Sequence, residues 1–196
     1  MSKFIKETFQ WILAVILALL IAFAIRGFIF EPVIVQGESM KNTLSTGERL
    51  IVFKLGYYFK SPQRGDIVVL KYQDGIAGEF PFLRKLPFIQ KMIPPISEID
   101  YIKRIVALPG DIIDIRDGAL YINDEKQEAP YAKGSTSKGT YSFKYPLAIP
   151  QNMFFVMGDN REYSRDSREI GFIPLDRIKG KAVFRIWPLN SIGGLK

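Results

Sequence analysis

The chain of 196 residues contains no cysteine and no histidine. The first absence excludes disulfides, thiolate metal sites and a thiol nucleophile. The second removes the commonest metal ligand and any Ser-His-Asp triad. A serine that attacks a carbonyl in this protein must therefore give its proton to a lysine or a carboxylate. Carboxylate-only sites for Mg²⁺ or Ca²⁺ remain the one metal option, and no Asp-x-Asp-x-Asp-Gly loop supports one. There is also no Lys/Arg-rich block and no recognisable nucleic-acid motif. Neither a metal, a cofactor nor a nucleic acid is expected.

One long stretch is free of charge. Residues 8–25 lie between Glu7 and Arg26 without a charged side chain, and residues 27–30 extend the apolar character. At 1.5 Å per residue, the roughly 23 residues from 8 to 30 make about 34 Å of helix, enough to span a bilayer. The rival reading is a cleaved signal peptide, because Ala22-Phe23-Ala24 has the form of a processing site. The run exceeds a usual signal-peptide core, and no Pro, Gly or polar break precedes Ala22, so an uncleaved anchor is expected. Lys3 and Lys6 place the N-terminus in the cytoplasm by the positive-inside rule, with Arg26 opposing them. Residues 1–30 are then the cytoplasmic N-terminus and transmembrane anchor, and residues 31–196 an extracytoplasmic domain. The net charge is +7; Lys3, Lys6 and Arg26 against Glu7 put +2 on the first 30 residues and leave +5 on the rest. That balance suits a domain lying near anionic lipid.

Beyond residue 31 the chain reads as β-rich. Residues 33–36, 49–53, 66–71, 101–107, 153–157 and 181–187 are short runs rich in Val, Ile, Phe and Tyr. Residues 111–116 and 119–123, joined through Asp117-Gly118, predict a hairpin. Sustained helical periodicity and internal repeats are absent there, which argues against a parallel α/β sheet. The fold class expected is mainly β and mostly antiparallel. Two stretches interrupt the pattern. Residues 75–98 hold four prolines and mix apolar with basic side chains. They suit either a membrane-interface loop or a long loop packed on its own domain. Residues 129–150 contain Gly134-Ser135-Thr136-Ser137-Lys138-Gly139 and predict a mobile surface loop.

Three segments have chemical potential. Lys103 sits in the run Tyr101-Ile102-Lys103-Arg104-Ile105-Val106, where strand alternation sends Lys103 and Arg104 to opposite faces. A lysine is a general base only when neutral, which about one in a thousand is near pH 7.4 at the ordinary value. Burial lowers that value, and three units cost roughly 4 kcal/mol. The plain alternative is an edge-strand lysine pointing into solvent. Ser39, in Gln36-Gly37-Glu38-Ser39-Met40, reads by itself as a turn serine. Met157-Gly158-Asp159-Asn160-Arg161 and Ser164-Arg165-Asp166-Ser167-Arg168 follow a hydrophobic strand. There Asp166 and Arg168 either brace a turn or form a surface salt-bridged loop.

Together and in this order, these segments resemble the boxes of the bacterial type I signal peptidases. The resemblance rests on Gly37-Glu38-Ser39-Met40-Lys41-Asn42-Thr43-Leu44, Arg64-Gly65-Asp66-Ile67-Val68-Val69, Tyr101 through Asp111, Met157 through Arg161, and Asp166-Ser167-Arg168, and it covers roughly residues 31–187. It implies a single N-terminal transmembrane helix and a mostly antiparallel β catalytic domain on the outer face of the bacterial cytoplasmic membrane. It implies Ser39 as nucleophile and Lys103 as general base, with the Ser164 hydroxyl helping to orient the lysine. Asp166, Arg168 and Arg104 match the charged residues that brace the site, with Gly158, Asp159 and Asn160 supporting the turn. Val33, Val35, Met40, Leu44, Tyr101 and Ile102 match positions lining shallow pockets for small substrate residues. The substrates implied are exported preproteins with small residues, typically alanine, at positions −1 and −3. Membrane lipid is the other expected partner, and the enzyme is expected to be monomeric in the membrane.

Three departures accompany the resemblance. Asn42 stands where the family usually has proline, which predicts a looser turn after Ser39. Gly37 replaces a serine that some members use as a side-chain oxyanion donor, shifting that task toward the Ser39 backbone N–H. The large extra domain of some members is missing between Asp111 and Met153. The alternative from a different class is a membrane-anchored scaffold or binding protein that keeps this fold without activity.

Overall fold

The computed structural model of the chain describes residues 3–73 and 99–195. The apolar run folds as helix α1, Lys3–Ala24, prolonged by a π-helical turn over Ile25–Ile29. Within it lies the 25-residue span Ile5–Ile29, whose most apolar 18-residue window has mean hydropathy 2.8, long and apolar enough to cross a membrane. Its side chains pack on almost nothing, Trp11 being 75% and Leu17 56% exposed. A helix apolar on all sides is at home in hydrocarbon, and this one fits a single-pass anchor.

The backbone passes from that turn directly into β1, Phe30–Ile34. The strand expected over 33–36 therefore begins three residues earlier and ends sooner. Its ladder with β2, Arg49–Phe53, runs from Phe30 opposite Phe53 to Ile34 opposite Arg49. The Phe30 and Phe53 rings, 5.3 Å apart, start the pairing where the helix ends. Pro32 obscures the strand in the sequence but is tolerated because β1 is a sheet edge. One further ladder bond, from Val35 N–H to the Glu48 carbonyl at 2.9 Å, carries the edge toward Ser39.

The remaining elements are a single turn α2, Gly56–Phe59; β3, Ile67–Gln73; β4, Ile99–Ala107; the hairpin of β5, Ile112–Arg116, and β6, Ala119–Ile122; and β7, Glu125–Lys126. They continue with β8, Leu147–Ala148; β9, Met153–Met157; a second single turn α3, Ser167–Ile170; β10, Ile173–Pro174; β11, Ile178–Trp187; and β12, Gly193–Gly194. The larger sheet has the order β1-β2-β11-β3-β4-β9-β10, with β12 on β11, and the smaller has β7-β6-β5-β8. Among the described residues every strand pair is antiparallel. The hairpin turns on Asp117 at φ 52° and Gly118 at φ 71°, the two positive angles that a two-residue turn of matching twist requires.

The sheets enclose a core of Val106, Ile113, Ile115, Leu120, Ile122, Phe155 and Met157, drawn from β4, β5, β6 and β9. A second cluster, Val35, Met40, Leu44, Leu50, Ile67 and Ala182, underlies the Ser39 turn. Residues 129–150, expected as a mobile surface loop, are tied to the β9–α3 segment. Lys133 N–H donates to Asp159 O at 2.7 Å, and Tyr141 N–H to Arg168 O at 2.9 Å. Phe143 stacks at 4.7 Å on Phe172. The interface-loop expectation for 75–98 lies outside the described residues.

Candidate active site

Ser39 sits in a hydrogen-bonded turn just beyond β1. Gly37, at φ 84°, turns the chain out of the edge strand, and Thr46 Oγ1 donates to its carbonyl at 2.9 Å. Lys41 N–H bonds to Glu38 O at 3.0 Å, and Leu44 N–H to Met40 O at 2.8 Å. Met40 and Leu44 are buried and peg the turn to the core. Asn160 fastens it from the other side, its N–H donating to Ser39 O at 3.0 Å and its Nδ2 to Glu38 O at 3.1 Å. Asn42 has φ 101°. A proline ring holds φ near −65°, so the backbone here is a different one from a proline turn. It is not left loose, because Thr43 N–H closes onto Met40 O at 3.0 Å.

The strand β4 delivers Lys103 from beneath. Its Nζ lies 2.8 Å from Ser39 Oγ and donates to Ile102 O at 3.1 Å. The side chain is 3% exposed, and no carboxylate pairs with it among the described residues. Burial lowers its pKa from 10.5 to about 8, against the opposing pull of Asp166 and Asp159. At pH 7.4 a value of 8 leaves about one amine in five neutral, against about one in a thousand unperturbed. A hydroxyl bonded to such an amine can lose its proton as it attacks a carbonyl carbon.

Arg104, on the opposite face of β4, has the contrary environment. Its Nε donates to Asp159 Oδ1 at 2.9 Å, its Nη2 to Asp159 Oδ2 at 2.8 Å and its Nη1 to Gly65 O at 2.8 Å, while Tyr131 stacks 4.0 Å from its Cζ. Thr43 Oγ1 donates a short bond to Asp159 Oδ2, joining the Ser39 turn to this pair. Asp166 caps α3 by accepting from Arg168 N–H, as aspartate does at helix starts. The same carboxylate takes Gly158 N–H at 3.0 Å and the Arg168 Nε and Nη2 at 2.8 Å each. Gly158 is where the two halves touch. A Cβ there would collide with Ser39 O and Ser164 Oγ, so the site tolerates only glycine.

A groove of about 560 Å³ runs past the pair between β1 and β4. Val33, Val35, Met40, Tyr101 and Ile102 line it with Ser39 and Lys103. Leu44 does not; it lies buried in the cluster beneath the turn. Ser164 is buried near Gly158, its Oγ makes no hydrogen bond among the described residues, and the Lys103 amine donates to Ile102 O. The Ser39 N–H likewise donates to nothing among the described residues. Thr43 and Tyr131 carry contacts to the brace that sequence reasoning did not assign. Thr43 stands inside the motif around Ser39 and could have been weighed there, whereas Tyr131 has no sequence signal.

A buried lysine against a turn serine beside an open groove is an arrangement that can support nucleophilic attack by the serine. Comparison with known proteins narrows the class to a peptidase. The family "Signal peptidase, peptidase S26" matches residues 8–187. Signal peptidase I of Bacillus licheniformis is 36% identical over 195 residues, covering 95% of this chain and 92% of that protein. Signal peptidase IB of Staphylococcus aureus strain Mu50 is 34% identical over 200 residues, covering 95% and 93%. The crystal structure of a signal peptidase I from Enterococcus faecalis V583 aligns with 28% identity and a TM-score of 0.43, over 62% of this chain and 97% of that one. The chain belongs to the signal peptidase family, peptidase S26.

Proposed function

We propose that this chain is a membrane-anchored serine endopeptidase that removes N-terminal signal peptides from exported preproteins, cutting after small residues at Ala-x-Ala sites. The observation that carries the reading is the 2.8 Å approach of a buried Lys103 Nζ to Ser39 Oγ inside the groove. In this reading α1 spans the bacterial cytoplasmic membrane with the catalytic domain outside. The preprotein, held in the same bilayer by its own apolar segment, lays its cleavage region along the groove. Neutral Lys103 takes the Ser39 proton while Oγ bonds to the scissile carbonyl carbon. The ammonium returns that proton to the departing amine as the C–N bond breaks, leaving an ester on Ser39. Lys103 then takes a proton from water as it attacks the ester, and returns it to Ser39. The Ser39 N–H serves the oxyanion in place of the side chain that Gly37 lacks. Arg104–Asp159 and Asp166–Arg168 hold the two walls in register.

The test is a cleavage assay with full-length protein in detergent and a preprotein bearing an Ala-x-Ala site. The expected product is the mature protein, and Ser39→Ala and Lys103→Ala each reduce its formation to background. Near-normal cleavage by either variant removes the assignment. Chelators are expected to change nothing.

A further inference from the structure

A second cavity, of about 200 Å³, shares no lining residue with the groove. Arg161, Thr136 and Tyr131 line it along with Arg64, Gln127 and Ala129. Arg161 is 4% exposed, yet no carboxylate pairs with it among the described residues. Its Nη1 has only long contacts, 3.4 Å to Thr136 Oγ1 and 3.6 Å to Met157 Sδ, and its Nε has no partner. The following residue, Glu162, points elsewhere and accepts from Ser135 N–H at 3.2 Å.

The surrounding charges do not balance. Among the described residues, Lys103, Arg104, Arg161 and Arg168 are buried around the aspartates Asp159 and Asp166. Asp159 is committed to Arg104 and Thr43, and Asp166 to Arg168 and the Gly158 N–H. Arg161 is the guanidinium left without a carboxylate in contact. A buried guanidinium with no carboxylate in contact is unfavourable; Asp159 and Asp166 act on this one only at a distance, and it lines open volume. Arg64 adds a second guanidinium to the lining, with its Nη2 on Asp111 at 2.8 Å.

We propose that this cavity is an anion site, in which Arg161, helped by Thr136 and Arg64, binds a small oxyanion of the phosphate or carboxylate type. The inference does not depend on the peptidase reading, and its readout is binding rather than cleavage. Full-length protein in detergent is titrated with inorganic phosphate or acetate against chloride at matched ionic strength, following Tm and calorimetric heat. At least one of the two oxyanions is expected to give a saturable rise in Tm beyond chloride, and whichever does so identifies the class. Arg161→Gln is expected to weaken that binding more than about tenfold. Should that variant fail to fold, Ala129→Phe fills the cavity with Arg161 intact and is expected to abolish the response as well. A wild type that responds to neither oxyanion overturns the proposal. So does a saturable response kept by Ala129→Phe or by a folded Arg161→Gln.

Discussion

Lys103 and Arg104 are consecutive cations on one strand, both nearly inaccessible to water, and they have opposite fates. Arg104 meets a carboxylate through two parallel hydrogen bonds, a backbone carbonyl and an aromatic face. Lys103 meets a hydroxyl, one backbone carbonyl and, 5.0 Å from its Nζ, the Tyr101 ring. Desolvation acts on both, but only Arg104 is given a counter-charge in contact. The lesson is that a lysine buried without a paired carboxylate is moved toward its neutral form, whereas a guanidinium keeps its charge and is given a partner. Strand alternation keeps the two environments separate over a single residue step.

The comparison breaks most completely if the lysine is made permanently charged. Lys103→Arg should lower kcat/KM for preprotein cleavage by at least about a thousandfold, because a guanidinium does not deprotonate in proteins. Cleavage within tenfold of wild type would mean that an uncharged base is not needed. Next in size is the brace. Asp159→Asn leaves Arg104 buried without its partner and should cost roughly 3–5 kcal/mol in denaturant unfolding, with activity falling as the Ser39 turn loses the Thr43 link.

The titration of Lys103 gives a smaller and two-sided effect. Its folded value, about 8, lies below the unfolded 10.5, so the unfolded chain holds the extra proton between those limits. Stability should therefore rise with pH across that window, and the penalty is fully present below about pH 8. Over that shift it amounts to about 3 kcal/mol. Lys103→Met, though inactive, should be more stable than wild type at neutral pH by about 1–3 kcal/mol. In the wild type, kcat/KM should climb through an apparent pKa near 8. A flat profile from pH 6 to 9 would count against the base. The smallest effect concerns the turn. Asn42→Gly keeps the positive φ and should change stability by less than about 0.5 kcal/mol, whereas Asn42→Pro should lose more than about 1 kcal/mol. Equal stability of the two variants would show that the turn is not built on that angle.

Local features were the legible ones. The alternation that parts Lys103 from Arg104, the Asp117-Gly118 hairpin and the strands Arg49–Phe53 and Met153–Met157 could be read from side-chain patterning, because each depends on a few neighbouring residues. The start of β1 could not, since Phe30 joins the sheet only through Phe53, which lies far along the chain. Nor could the insertion of β11 between β2 and β3, a pairing of distant segments relieved by register shifts at Ala182/Phe184 and Ile178/Gly180. In the site, the motifs brought Ser39 and Lys103 forward together. The sequence alone cannot show that Leu44 is a peg rather than a pocket wall, or that Asn42 takes a left-handed backbone. Those depend on which way the turn folds over its core.

The direct passage from Ile29 into β1 has a consequence of scale. Ser39 is the tenth residue after Ile29. Even drawn out at about 3.3 Å each, these residues reach roughly 33 Å, and pairing with β2 holds the first five extended and rigid. With α1 across the bilayer, the chain becomes a short, stiff measuring rod. In the proposed orientation it would set the height above the lipid at which a bond can be cut, and would so select among peptides by distance before the groove selects among side chains.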